Sequence, residues 1–196
     1  MLARRFTALQ CAGYDRRVMP TTREVLKTTI NLEKQTMSLY ARFARSFAKD
    51  PRLHDFWFGM ARDEARHVGA LELVSTVLDF EGALDRPSPI SLENSTIVRL
   101  RELLNRHKGT AEIPIARALA LALEIEESEL EDLVGDLLKA VQQGDEYERW
   151  MRLLVHDLGE LSYMIEQYAH DAELLRRCDA LVNRHAETLR RAAAAS

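Results

Sequence analysis

The five prolines of this chain, Pro20, Pro51, Pro87, Pro89 and Pro114, all fall at or between the ends of stretches whose apolar residues recur every three or four positions. Proline interrupts the hydrogen-bond ladder of a helix interior, so its confinement to the borders leaves those stretches free to be helices. With only eight glycines in 196 residues there are few other breakers, and an all-α fold follows. The first segment opens with Thr21-Thr22-Arg23-Glu24, a capping-box pattern, and its inward row is Leu26, Ile30, Glu33, Met37, Tyr40, Ala44 and Phe47. Asp50 followed by Pro51 reads as the N-cap and first residue of a second helix, whose row is Trp57, Met60, Glu64, His67, Leu71, Val74 and Leu78. A third begins near Thr110 with Pro114 in its first turn and presents Ile115, Leu119, Ala122, Glu126, Leu130, Leu133 and Leu137. The fourth starts at Asp145 after Gly144, with Glu148 completing another capping box, and presents Trp150, Leu153, Asp157, Glu160, Met164 and Tyr168.

Gly82 to Gly109, about 28 residues, is far more than an antiparallel helix hairpin needs, so this stretch is expected to cross the bundle. Within it, Asn94 to His107 has its own apolar spacing and predicts a short helix. A fifth long helix, Asp171 to Arg191, packs outside through Leu174, Leu175, Cys178, Leu181, Val182 and Leu189. The organisation expected is an N-terminal extension over 1–20, a bundle over 21–170 and a C-terminal helix and tail over 171–196.

Composition narrows the function classes. Charged residues, 30% of the chain, interrupt every apolar run well before the ~20 residues a membrane span needs. A net charge of −4, from 27 basic and 31 acidic residues, supplies no field that gathers nucleic acid. Cys11 and Cys178 stand near opposite ends with no paired spacing, which argues against a zinc ribbon or a disulfide framework and for a reducing, cytoplasmic setting. The first thirteen residues are basic but lack the apolar core of a secretory signal.

Four positions recur at one offset. Glu33 and Glu126, Trp57 and Trp150, Glu64 and Asp157, and His67 and Glu160 each lie 93 residues apart. Two duplicated helix pairs, 21–81 and 110–170, account for this and bring the acids of both halves to one level. Core positions on these rows hold Glu33, Glu64, His67, Glu126, Asp157 and Glu160 with no Lys or Arg among them. Buried carboxylates cost several kcal/mol each unless something compensates, and a multivalent cation suits five carboxylates and one imidazole from four helices. Glu64 and His67, three apart, project to the same side of their helix and can share one ion.

On these residues the chain resembles a ferritin-like di-iron carboxylate protein of the rubrerythrin-like branch. The matching motifs are Glu33 in INLEKQTMSLY, Glu64-Ala-Arg-His67 in MARDEARHVGAL and Glu126 in LEIEESELEDL, and the likeness spans about residues 21–170. It implies a ferritin-like four-helix bundle with the long connection between its second and third helices. It also implies iron at a di-iron site, with Glu33 and Glu126 as terminal ligands, Glu64 bridging, His67 on one iron, and Asp157 at the second bridge. Glu129 matches the extra carboxylate of that branch, which exchanges with the histidine as the iron changes redox state. Where the family has a second Glu-x-x-His, this chain has Asp157-Leu-Gly-Glu160, an all-oxygen set that also tolerates manganese or zinc. The chemistry implied is that of an oxidoreductase of peroxidase or ferroxidase type. Ferrous iron is oxidised by peroxide or dioxygen, and an external electron donor serves in place of the missing rubredoxin segment. A homodimer or larger homo-oligomer is implied as well.

The remaining candidates read as structure. Glu124, Glu127 and Glu131 fall on the opposite face of their helix as surface charge, and His156 sits at the row's boundary in a supporting or surface place. His54, His107, His170 and His185 have no partner at ligand spacing and read as surface residues or helix-end cations. Trp57, Trp150, Tyr40 and Tyr168, with Met37, Met60, Met151 and Met164, read as core packing. Two other readings stay open: a metal-poor helical scaffold acting through its surface, and an iron-binding module without turnover.

Overall fold

The computed structural model describes residues 19–109, 113–128, 130, 133 and 146–195, without the side chains of 146–148, 150 and 192–195. Helix α1 spans Thr22–Ser46 and starts where the capping box predicts. The Thr21 hydroxyl accepts from the Glu24 amide (3.2 Å), and the Glu24 carboxylate accepts from the Thr21 amide (2.8 Å). Helix α2 spans Pro51–Phe80, capped by Asp50, whose Oδ1 accepts the Arg52 and Leu53 amides at 3.0 and 3.2 Å. The two helices pack along their lengths as a hairpin. At its closed end Trp57, fully buried, meets Phe43 (ring centroids 4.9 Å), Phe56 (4.8 Å) and Tyr40 (5.7 Å), an aromatic knot that fixes where α2 leaves α1.

Gly82, at φ 63°, ends α2 in the left-handed region and sends the chain back toward the start of α1. There the amides of Thr22 and Arg23, which a helix leaves without internal acceptors, donate to the carbonyls of Arg86 (3.0 Å) and Leu84 (2.9 Å). Arg23 adds ion pairs to Asp85 (2.8 Å) and Asp79 (3.2 Å), and Thr21 and Pro87 form an isolated backbone bridge. The connection then carries helix α3, Ser95–Arg106, capped by Asn94 and packed on α1 through buried Ile97, Leu100, Leu103 and Leu104.

Helix α4 spans Ile115–Glu126, and beyond a turn at 127–128 the expected row continues, with Leu130 helical and buried and Leu133 helical and packed on the core. Its last turn carries Glu124 and Glu126 with Glu127 as C-cap, where the helix dipole disfavours anions. Arg177 compensates by clasping Glu127 with Nε and Nη2 at 3.1 and 2.5 Å. Residue 137 of the expected row lies outside the described residues. Helix α5, Glu146–Tyr168, touches α4 and runs along α6, Ala172–Ala195.

The expected inward row of α5 needs correcting. Its buried residues are Met151, Leu154, Leu158, Leu161, Met164 and Ile165, whereas Leu153 is 42% exposed and Glu160 is exposed. Most of the buried row is shifted by one residue, about 100° around the helix. The reason is α6: Cys178 Sγ lies 3.7 Å from the Leu158 carbonyl and Ser162 donates to Asp179 at 2.5 Å, so α5 turns a wholly apolar row to its partners. His185 is a second correction. It is buried on α6, in register with Leu174, Cys178 and Leu181, and does not lie at the surface.

Candidate metal centre

Glu33 stands at the middle of α1 with Thr29 and Thr36 buried a turn to either side. Both hydroxyls turn to their own helix, Thr29 to the Val25 carbonyl at 2.8 Å and Thr36 to that of Leu32 at 3.3 Å. Across from Glu33, α2 presents Glu64 and His67, and Met60 and Leu71 seal the turns before and after them. Glu33 is 1% exposed and Glu64 3% exposed. His67 Nδ1 lies 3.4 Å from Glu64 Oε2 and 3.8 Å from Glu33 Oε2, beyond the roughly 2.7–3.2 Å of a formed N–H···O bond. Glu33 Oε1 and Glu64 Oε2 make no hydrogen bond among the described residues, although both atoms are buried.

Such a cluster is electrostatically incomplete. Burial, and next the Glu33 charge, push the Glu64 carboxyl well above the usual carboxylate range, while His67 pulls the other way. One imidazole cannot balance two buried carboxylates, and His67 is their ion-pair partner among the described residues. One ligand atom from each of Glu33, Glu64 and His67 lies within 4.8 Å of the others, so these three could hold a metal ion. Two oxygens and one imidazole nitrogen suit iron, manganese or zinc better than a cation that takes oxygen alone.

The chain matches no protein-family model, no curated protein and no solved structure.

Within the molecule, then, the three gathered ligands all come from the first helix pair. Glu126 is buried, 8% exposed, with Oε1 accepting from the Tyr40 hydroxyl at 3.0 Å, which ties α4 to α1, and it stands apart from the three-residue group. Asp157 is half-buried on the side of α5 that faces α2. Burial, and then the charge of Asp63, raise its carboxyl, against the pull of His156 and His67. Its oxygen sits 3.2 Å from His156 Nδ1, which places His156 at the exposed margin as a support. Glu160 is exposed and lines an open cleft of about 520 Å³ with Arg52, Arg62 and Tyr163. Glu160 is therefore corrected from a core position to a surface one by the turn of α5. Glu129 lies outside the described residues.

Asp63 escaped the sequence reading. It is 8% exposed, paired with Arg66 and 3.5 Å from Arg62, and its charge reaches Asp157. The signal was there: Met60, Asp63, His67 and Leu71 are spaced three, four and four, as regular a row as the one through Glu64.

Proposed function

We propose that this chain is a ferritin-like bundle of the rubrerythrin type whose first helix pair holds a non-haem metal ion, iron foremost, and that it acts on iron or peroxide as an oxidoreductase. The observation that carries the reading is the buried pair Glu33 and Glu64, each with an oxygen left unbonded beside His67. Glu33 and Glu64 would hold the cation through carboxylate oxygen and His67 through a ring nitrogen, and buried Met60 and Leu71 keep water from the carboxylates. Glu126 and Asp157, which turn toward α1 and α2, are the carboxylates proposed for a second ion. Ferrous iron held by these residues would supply the electrons for reducing peroxide or dioxygen, with an external donor to restore them.

The test is anaerobic loading of metal-free protein with ferrous iron, followed by gel filtration, metal analysis and a peroxide challenge. Wild type should retain iron and consume peroxide. Glu64→Ala should lose the metal, and Glu160→Ala should keep it. Wild type that emerges free of iron at neutral pH overturns the reading. A second reading, a single-ion module without turnover, draws support from the exposure of Glu160, which leaves the second half without a counterpart to His67. Iron retained with peroxide untouched selects it.

A further inference from the structure

Helix α3 packs on α1 through Ile97, Leu100, Leu103 and Leu104, yet beside that contact the two helices leave an open cleft of about 700 Å³ between them. Buried Leu32 lines its base. Lys27, Asn31 and Gln35, spaced four and four, run along the α1 wall. Arg101 and Asn105 stand on the α3 wall, with Lys108 in the turn that follows the helix.

This cleft carries charge of one sign. Among the described residues no carboxylate lines it, and Lys27, Arg101 and Lys108 make no ion pair. The acids nearest in sequence serve elsewhere. Glu24 holds the Thr21 amide and hydroxyl at 2.8 and 3.0 Å, and Glu102, one residue past Arg101, lies about 100° further round α3 and outside the lining. In a chain of net charge −4, three cations over one hollow repel each other, and an anion seated among them removes that repulsion. The side-chain amides of Asn31, Gln35 and Asn105 make no hydrogen bond, so their N–H groups are open to a ligand.

Ammonium, guanidinium and amide donors together suit phosphate oxygens. Arg101 and Lys108 are seven residues apart, about 10 Å along α3, with Lys27 across from them, and such stations suit a row of linked phosphates better than one oxyanion. No aromatic ring among the described residues lines the cleft, so nothing there stacks a nucleotide base. We propose that the cleft between α1 and α3 binds an oligophosphate, with Lys27, Arg101 and Lys108 on its oxygens and Asn31, Gln35 and Asn105 donating beside them. None of these six belongs to the Glu33, Glu64 and His67 group, so this proposal and the metal reading fail independently.

Isothermal titration calorimetry on the full, metal-free chain at low salt tests it, with tripolyphosphate, ATP, inorganic phosphate and citrate as probes. Tripolyphosphate should bind one per chain, and ATP should bind no tighter, because only its phosphates are recognised. Inorganic phosphate and citrate should each bind at least tenfold more weakly. Lys27→Glu and Arg101→Glu should each weaken tripolyphosphate tenfold or more. Arg106→Glu, the same charge change at an exposed α3 residue outside the cleft, should weaken it less than threefold. Circular dichroism checks that the variants keep their helices. No heat with tripolyphosphate overturns the proposal, as does inorganic phosphate or citrate binding equally well. An Arg106→Glu loss as large as that of Lys27→Glu overturns it too, since general surface charge then accounts for the binding.

Discussion

Replacing Glu64 by Gln keeps the shape of the side chain and removes its charge, and the structure gives this change opposite signs with and without a cation. In metal-free protein, burial and the Glu33 charge raise the proton affinity of Glu64, while the unfolded chain titrates near the ordinary value of about 4.3. A folded-state value above the unfolded one means that Glu64 favours the fold fully below about pH 4.3. That contribution then declines as pH climbs through the elevated folded value. Glu64→Gln has no such decline. The two proteins should therefore melt close together near pH 4–5, and at pH 8 the variant should lead by about 1–3 kcal/mol, the usual cost of a buried polar group left unsatisfied. For a chain of this length that is roughly 2–12 °C in Tm. With a divalent cation at about a thousand times its Kd, wild type gains about 4 kcal/mol, or roughly 8–16 °C, while the uncharged amide holds the ion weakly and gains little. The order of melting temperatures should then invert. Scanning calorimetry on chelator-treated and manganese-loaded samples at pH 5 and pH 8 measures all four cases. A variant less stable than wild type without metal at pH 8, or one that gains as much from metal, refutes the argument.

Two further outcomes follow from parts of the fold away from that cluster. The thiol of Cys178 is fully buried, and burial, followed by Asp179, Glu126 and Glu127, pushes its pKa up to about 12. Iodoacetamide at pH 8 should leave the peptide carrying Cys178 unmodified until denaturant is added. The fold should lose this residue's contribution only as pH rises past about 8.5 toward that value. Asp50 caps α2 with Oδ1 and receives the Tyr168 hydroxyl on Oδ2 at 3.3 Å, so Asp50→Ala should lower urea stability by about 1–2 kcal/mol, and Asp50→Asn should recover most of it.

Helix boundaries were legible wherever the determinant is local. Thr21 with Glu24, and Asp50 with Pro51, act within one turn of chain, and the short helix expected over Asn94 to His107 forms as Ser95–Arg106 with Asn94 as its cap. The two acids and the histidine that gather were also legible, because a charged residue on an otherwise apolar row of α1 or α2 has one plausible neighbour, the other arm of the hairpin. Legibility failed on α5, where an acid-bearing row and an apolar row lie side by side. Periodicity gives the spacing of each row, but only α6 decides which one is covered. Asp63 and His185 were missed for the related reason that a polar residue in register with a core row reads as its edge until the packing partner is known. Leu153 shows the converse: an apolar residue at core spacing is left facing outward.

Glu33, Glu64 and His67 belong to a single hairpin whose ends are pinned where Thr22 and Arg23 meet the carbonyls of Arg86 and Leu84. Closing a loop of some thirty residues is entropically modest, since the penalty grows only with the logarithm of its length. The acidic cup can therefore assemble as a local folding event, before α4, α5 and α6 have found their places. Substitutions in those later helices, where Glu160 faces outward, can then retune what happens around the cup without dissolving the cup itself.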